Sequence, residues 1–435
     1  MSDFLQLSGW KTLQVSESES EYEIRVEAEI TAKPPHLCPH CWNFSGFEKF
    51  GIRKQIVLDA PVRGKRVGIH FTRQRYRCRK CRKITVHELP CCSDSRRATN
   101  RLIRLITDKS LRETFSAVAR EVGVDEKSVR NIFKDWVEEK NKHYKPLTPE
   151  FLGIDEINII QPRCVMSNIA QQAVVDLLPE RNKTNVIARL RAMETTRVKV
   201  VAIDMWRPYR DAVELVIPKA IIVIDKFHVV RMANDCLETV RKQVRSQLSE
   251  HHRLQLKDDR FLLLKRRSKL DDFEKLRVET WTANFPLLGE AYIAKERFFD
   301  FYNCHSRLEA ESYLNHWKNS LSSEGEKAFQ PLLTALHNWR NYILSYFDTN
   351  KVTNAYTESL NSLIRLVSRN GRGYSFEVMR AKILYSNGVR MVPKPIYNRN
   401  FHTDGIMMSV RPPSEEEDYG ASISTLIENF KREVD

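Results

Sequence analysis

Short apolar runs separated by turn residues follow one another in the second third of the chain. Residues 151–155, 163–169 and 173–178 predict three consecutive strands, because apolar runs of this length between turns are typical of buried strands. The pattern then predicts a helix at 185–193, a strand at 198–203, a helix at 208–216 and a strand at 220–224.

This succession is the element order of the ribonuclease-H-like fold, in which the first and fourth strands lie side by side. Asp155 ends the first predicted strand and Asp204 follows the fourth, so we expect the two carboxylates to meet near the centre of the sheet. Glu156 is expected to point to the opposite face, because successive side chains of a strand alternate.

Two carboxylates in one buried site raise each other's pKa unless a cation neutralises them. Magnesium, or manganese, takes oxygen ligands and keeps water and phosphate oxygens in its shell, so we expect such an ion at Asp155 and Asp204. A single aspartate after a strand is more often a turn residue, because its carboxylate bonds readily to nearby amides. The prediction therefore depends on the pair.

A helix that opens near Thr353 offers a third carboxylate. Glu358 lies with Asn361 and Arg365 on a polar face. The apolar side chains that recur on the other face are Tyr356, Leu360, Leu363, Ile364 and Val367. A solvent-exposed first-turn glutamate, favoured by the helix dipole, is the alternative interpretation of Glu358.

Two Cys-x-x-Cys pairs near the N-terminus predict a structural zinc site. Cys38 and Cys41 form one pair and Cys78 and Cys81 the other, and four thiolates can close a tetrahedral zinc site with no open position. Strands at Lys54–Leu58 and Val67–Tyr76 are expected around the turn 60–64, as in a zinc ribbon. The nearby His40, His87, Cys91 and Cys92 are taken as bystanders.

Residues 115–132 have the layout of a helix-turn-helix. Gly123 permits the turn and Asp125 can cap the second helix. The side chains expected to face a DNA major groove are Lys127, Ser128, Arg130 and Asn131. An ordinary helical hairpin is the alternative.

Composition adds a charge argument. The 435-residue chain, long enough for two or three domains, has a net charge of +15, and residues 51–145 hold 25 basic and 11 acidic side chains. Between Arg63 and Lys83 there are ten Lys or Arg and no acid, which favours contact with DNA phosphates. The residues predicted for that contact are Lys65, Arg66, Arg73, Arg75 and Arg77.

No apolar run is long enough to span a bilayer, and the N-terminus lacks the pattern of a secretion signal. The sequence is therefore interpreted as that of a soluble protein that is cytoplasmic rather than secreted and has no membrane partner.

The order of these motifs resembles that of the ISL-three family of bacterial insertion-sequence transposases, over a match from about Cys38 to Tyr385. Beyond the cysteine pairs and the helix-turn-helix, the matching segments are Gly153-Ile154-Asp155-Glu156, Asp204-Met205-Trp206-Arg207-Pro208-Tyr209, Asp225-Lys226-Phe227-His228-Val229 and Thr353-Asn354-x-x-x-Glu358-x-x-Asn361.

The resemblance implies a DDE transposase with Asp155, Asp204 and Glu358 as the metal-binding triad, and Asp225 and His228 as supporting residues. A competing assignment makes Asp225 the second ligand instead of Asp204, and His228 can also be read as a histidine satisfied in the core. Two-metal-ion phosphoryl transfer would then cut and join DNA. The implied partners are the terminal inverted repeats and target DNA as duplexes, with a homodimer bringing two ends together.

The resulting organisation is a multidomain α+β protein. Its predicted parts are a zinc ribbon at 1–95, a helix-turn-helix domain at 96–147, the first part of a ribonuclease-H-like α/β core at 148–228, an all-helical insertion at 229–350, the glutamate helix of the core at 351–392 and a C-terminal tail at 393–435.

Two other functions fit parts of the sequence. A domesticated, catalytically silent DNA-binding protein would keep the N-terminal modules, and an intact triad argues against it. A nuclease of RNA hybrids or DNA junctions would share the core, and the DNA-reading modules argue against that.

Overall fold

The computed structural model describes residues 4–19, 22–31, 35–44, 46–86, 88–145, 148–371 and 373–386. These residues form two compact units. The first holds the described residues up to 145 together with 366–386, and the second holds 148–365. His87 and the predicted tail at 393–435 lie outside the described residues.

The first unit opens with a mixed sheet built around a long hairpin. Its strands are β1 (Trp10–Ser18), β2 (Glu23–Ile30), β3 (Phe47–Val62), β4 (Lys65–Cys78), β5 (Ile84–Val86), β6 (Cys92–Ser93) and β7 (Ala98–Thr99). They lie in the order β1-β2-β4-β3-β7-β6, with β5 on β4. Arg63 and Gly64 turn the β3–β4 hairpin with φ of 54° and 77°, the backbone that a two-residue hairpin turn requires. The predicted hairpin is confirmed, with a shorter turn.

Three helices follow in the same unit: α1 (Asn100–Arg112), α2 (Phe115–Val122) and α3 (Glu126–His143). Gly123 ends α2 in the left-handed conformation, and its N–H donates to the carbonyl of Ala119. Asp125 then caps α3 by accepting the N–H of Ser128 at 2.8 Å. The buried residues Val118, Val129 and Phe133 join the helices. The predicted helix-turn-helix is confirmed.

The second unit contains a sheet in the order β10-β9-β8-β11-β12. Its strands are β8 (Phe151–Ile159), β9 (Gln161–Asn168), β10 (Ala173–Leu178), β11 (Val200–Ile203) and β12 (Ile221–Ile224). The first three are antiparallel, and β11 lies parallel to both β8 and β12. The first and fourth strands of this unit are therefore neighbours, as the element order predicted.

Among the strands of this sheet, the first differs most from its predicted bounds. β8 continues to Ile159 and turns into β9 at Ile160, so Asp155 lies inside a strand rather than at its end. Alternation explains the difference, because Ile157 and Ile159 are buried while Asn158 is exposed, and such a stretch contains no continuous apolar run. Pairing with β11 nevertheless stops at Ile154 and Ile203.

Helices cover the sheet and form the segment after β12. They are α4 (Lys183–Arg191), α5 (Arg207–Val216), α6 (Lys226–Ser246), α7 (Glu250–Asp258), α8 (Arg260–Leu264), α9 (Asp272–Asn284), α10 (Pro286–Phe301), α11 (Arg307–Asn319), α12 (Ser323–Ala328), α13 (Gln330–Asp348) and α14 (Ala355–Gly371). All residues from 226 to 354 are described, and none of them is in a strand. Trp317 and Trp339 are buried in one core with the sheet, and Trp281 packs against it half-buried.

A last helix, α15 (Phe376–Tyr385), belongs to the first unit, where Ala381 joins the core of α1, α2 and α3. The boundary between the two units in sequence falls inside α14, after Arg365. None of the helices in the described part of the chain is long and apolar enough to cross a membrane.

Candidate active site

The parallel register of β8 and β11 brings Asp155 and Asp204 together. Ile154 and Ile203 form the last pair of the ladder, and each aspartate comes directly after. Asp155 is 3% exposed and Asp204 7%. Burial, with the charge of Asp204, raises the pKa of Asp155 to about 8, and burial raises that of Asp204 to about 6. Two buried acids held together in this way favour a cation.

Five side chains could hold cations here, in two groups that share His228. One group is Asp155, Asp204 and His228, and the other is Asp225, His228 and Glu358; within each, one potential ligand atom per residue lies within 4.8 Å of the others. His228 Nδ1 is 3.3 Å from Asp204 Oδ1 and 3.9 Å from Asp225 Oδ2. The two groups form one continuous site.

The donor set suits a divalent cation. Asp204 Oδ1, Asp225 Oδ2 and His228 Nδ1 are buried, and none has a hydrogen-bond partner among the described residues. Buried polar atoms are usually paired, so three unpaired atoms on neighbouring side chains call for a shared partner. Carboxylate oxygens are the ligands that suit magnesium and manganese, so the aspartates provide the main donors for such an ion.

The start of α14 is fixed to the sheet by hydrogen bonds. The backbone N–H of Asn354 donates to Asp225 Oδ1 at 3.1 Å, and its side-chain amide donates to the carbonyl of Ile154 at 3.3 Å. The hydroxyl oxygens of Thr357 and Ser167 lie 2.5 Å apart and share a hydrogen bond. A Cβ on Gly153 would lie 2.5 Å from both hydroxyl oxygens, so only glycine lets the helix approach this closely.

This attachment places Glu358 beside the aspartates. The side chain is half-buried rather than solvent-exposed. Burial, together with the charges of Asp225 and Asp155, raises the pKa of Glu358 to about 7. Glu358 groups with Asp225 and His228, and the assignment of Asp155, Asp204 and Glu358 as the triad stays a prediction.

Asp155, Asp204 and Glu358 line an open pocket of about 400 Å³, together with Phe227, Arg231 and Arg365. Glu156 also lines this pocket, where strand alternation had predicted that it would face away. It is not a member of either ligand group, and it is ion-paired with Arg181.

Two neighbours of the site were missed by sequence reasoning. Arg181, in the turn after β10, lies over the ring of Trp206, with Cζ 4.2 Å from the ring centroid. Asn361 donates a hydrogen bond to Asp155 Oδ2 at 2.7 Å. Arg181 had no motif to mark it, whereas Asn361 was part of a matching motif and of the polar face of its helix but was given no role.

The four cysteines predicted for zinc meet in the first unit. Their sulfur atoms all lie within 4.8 Å of one another, with Cys38 Sγ 3.6 Å from Cys81 Sγ and Cys41 Sγ 3.7 Å from Cys78 Sγ. A tetrahedral site with Zn–S bonds of about 2.3 Å has sulfur atoms about 3.8 Å apart. The thiols therefore fit one structural zinc ion.

Comparison with known protein families supplies the decisive observation. The model of the ISL3 transposase family with a DDE domain matches residues 152–383, more than half of the chain. The chain belongs to the ISL3 family of transposases. Models of the helix-turn-helix domain of the same family and of the zinc finger of the IS204/IS1001/IS1096/IS1165 transposases match residues 93–137 and 34–81.

A relative of this ISL3-family transposase is the transposase for insertion sequence element IS1001 from Bordetella parapertussis. The two are 26% identical over 383 residues, which cover 85% of this chain and 93% of the relative. Membership of a DDE transposase family implies phosphoryl transfer on DNA.

The basic residues that the sequence assigned to DNA occupy different environments in the transposase. Lys65 is ion-paired with Glu17, and the Nε of Arg66 donates to Glu23 at 2.7 Å. Arg73 is 5% exposed and donates two hydrogen bonds to Asp94, at 2.9 and 3.0 Å. That pair joins β4 to the turn between β6 and β7, so we leave Arg73 out of the proposed DNA surface.

The remaining two basic strand residues flank Phe50. The guanidinium carbon of Arg77 is 3.5 Å from the ring centroid and that of Arg75 is 5.5 Å away. Both side chains are half-buried. This leaves them accessible to a phosphate from one side.

On α3 the candidate DNA contacts also differ among themselves. Lys127 is exposed and Asn131 is half-buried. Ser128 donates its hydroxyl to Asp125 at 2.7 Å, and Arg130 donates to Glu126 at 2.7 Å. The hydroxyl of Ser128 is therefore engaged in the cap of α3 rather than free to contact DNA.

Proposed function

We propose that this transposase binds the terminal inverted repeats of its insertion sequence and catalyses metal-dependent DNA cleavage and strand transfer. The observation that carries the proposal is the convergence of Asp155, Asp204, His228 and Glu358 around one pocket, with Asp225 close to His228 and Glu358. Family membership supports the reaction class.

In this proposal Asp155, Asp204 and Glu358 hold the catalytic cations, with His228 between the two ligand groups. Two bound magnesium or manganese ions would activate a water and then a 3′-hydroxyl, and would stabilise the leaving oxygen. Asp225 anchors α14 through the N–H of Asn354 and so keeps Glu358 in place. His228, whose Nδ1 is 3.3 Å from Asp204 Oδ1, would help to orient the scissile phosphate beside the cations.

The DNA-reading part of the proposal rests on the zinc ribbon and the helix-turn-helix. Lys127, Arg130 and Asn131 of α3 would contact the terminal repeats, and Arg75 and Arg77 would contact phosphates. Arg231 and Arg365, which line the pocket, would position the backbone of the DNA to be cut. Because two transposon ends must be joined, the active species would be a homodimer on duplex DNA.

The test is cleavage and strand transfer on duplexes that end in the element's terminal repeat. Asp155→Asn, Asp204→Asn and Glu358→Gln should each reduce cleavage at least about 10³-fold while leaving repeat binding unchanged. Asp225→Asn tests the competing assignment. If Asp225→Asn loses cleavage while Asp204→Asn keeps it, Asp225 rather than Asp204 is the second metal ligand.

Asp258→Asn is the matched control, because Asp258 is an exposed carboxylate at the end of α7. Wild-type protein that binds the repeats but never cleaves them with magnesium or manganese would instead support a silent DNA-binding protein.

A further inference from the structure

Asn361 is a buried amide attached to the candidate metal site. It lies on α14 one turn after Glu358 and is 3% exposed. Its Nδ2 donates to Asp155 Oδ2 at 2.7 Å and to the carbonyl oxygen of Glu156 at 3.2 Å. These two acceptors fix the orientation of the amide, because in the flipped orientation the amide oxygen would face two other oxygens.

The hydrogen bonds of Asp155 leave its carboxylate little freedom to rotate. Asp155 Oδ2 takes the Asn361 amide, and Oδ1 accepts the N–H of Glu156 at 2.7 Å. Both donors are uncharged, so they orient the carboxylate without replacing a cation as its charge partner.

The other end of the Asn361 amide has no partner. Its Oδ1 is buried and accepts no hydrogen bond from any residue in the described ranges, and the side chain lines the carboxylate pocket. Buried amide oxygens are normally paired. Water bound to a cation in this pocket would supply a donor of the right kind.

We propose that Asn361 is a positioning residue that presets the Asp155 carboxylate and thereby sets the affinity of the site for its divalent cation. The inference rests on the proposed function and deepens it. Side chains that hydrogen-bond to a metal ligand typically change metal affinity by about 10–100-fold when removed.

The experiment measures Mn²⁺ binding to the full-length, zinc-loaded protein by electron paramagnetic resonance of the free ion. Asn361→Ala and Asn361→Leu should raise the dissociation constant about 10–100-fold. Duplex DNA binding and the circular dichroism spectrum without Mn²⁺ should stay at wild-type values, which shows that the variants are folded. Asn361→Ser keeps a small hydroxyl donor, so its dissociation constant for Mn²⁺ should lie between those of the wild type and Asn361→Ala. It replaces the other variants if they do not fold.

Asn370→Ala is the matched control, because Asn370 is an exposed asparagine on the same helix. Mn²⁺ affinity within twofold of wild type in Asn361→Ala, or an equal loss in Asn370→Ala, would overturn the inference and leave the proposed function standing. A wild-type protein that binds Mn²⁺ no better than Asp155→Asn would overturn both.

Discussion

Gly153 lies where the sheet and the helix that carries Glu358 approach most closely. Its missing side chain leaves room for Asn354, Ser167 and Thr357, whose hydrogen bonds hold the start of α14. The sequence showed Gly153 only as one letter of a motif, because its partners are distant along the chain.

We expect Gly153→Ala to lower the free energy of unfolding by about 1–3 kcal/mol, since the added methyl must displace packed atoms. DNA cleavage should fall further, about 10²-fold, because shifting a catalytic carboxylate by even about 1 Å is costly. Thermal unfolding and the cleavage assay measure the two effects. Gly46→Ala is the control, since its Cβ would come no closer than 3.9 Å to another side chain, and equal effects in both variants would contradict the prediction.

The acidic residues of the site also predict a dependence of stability on pH. The pKa values of Asp155, Glu358 and Asp204 are raised to about 8, 7 and 6. Between about pH 4 and pH 8 the folded protein then binds more protons than the unfolded chain, so the free energy of unfolding falls as the pH rises. Below this window the contribution is fully present.

In magnesium-free buffer the melting temperature should therefore fall from pH 5 to pH 8, and Asp155→Asn should flatten that slope. Magnesium at about 100 times its dissociation constant should raise the melting temperature by roughly 5–10 °C at pH 8, and by less at pH 5. Differential scanning fluorimetry measures both. An unchanged slope in Asp155→Asn would show that other groups cause the pH dependence.

At the scale of elements, α3 depends on the cap at its first turn. Asp125 accepts both the N–H and the hydroxyl of Ser128, and these hydrogen bonds lower the pKa of Asp125. The cap was predictable from the sequence because its residues are three positions apart. The continuation of β8 was not, since it depends on pairing with β9.

Asp125→Ala should reduce the free energy of unfolding of the first unit by about 0.5–2 kcal/mol and weaken binding to terminal-repeat duplex. Chemical denaturation and fluorescence anisotropy measure these effects. Asp108→Ala, at an exposed position inside α1, should change neither. Binding that survives unchanged in Asp125→Ala would remove α3 from the proposed DNA surface.

At the scale of the whole molecule, the cysteine site and the carboxylate site belong to different compact units. Structural zinc contributes folding free energy, because a preformed site does not exist in the unfolded chain. The excess positive charge lies in the sequence of the zinc-bearing unit, where it favours phosphate contact. Loss of zinc should therefore affect DNA binding and leave the carboxylate site intact.

We expect zinc chelation, or Cys78→Ser, to reduce terminal-repeat binding at least 10-fold while Mn²⁺ binding at the carboxylates changes less than twofold. Cys304→Ser, at a buried thiol of the second unit, is the control. Released zinc, anisotropy and Mn²⁺ titration measure the outcome. Loss of Mn²⁺ binding with zinc would show that the two units do not fold independently.

Features with short-range causes were determined by the sequence alone. Each Cys-x-x-Cys pair, the cap of α3 and the hairpin turn depends on residues within a few positions. The order of strands then placed Asp155 beside Asp204. Local spacing and a small set of allowed connections were sufficient for these.

The tertiary structure decided what depends on contacts between distant residues. It grouped Glu358 with Asp225 and His228, joined Asn361 to Asp155 across more than 200 residues, and buried Arg73 against Asp94. The type of a side chain determines whether it can be charged or buried. Which side chains come into contact is decided by tertiary packing, because each long-range contact depends on the path of the whole backbone.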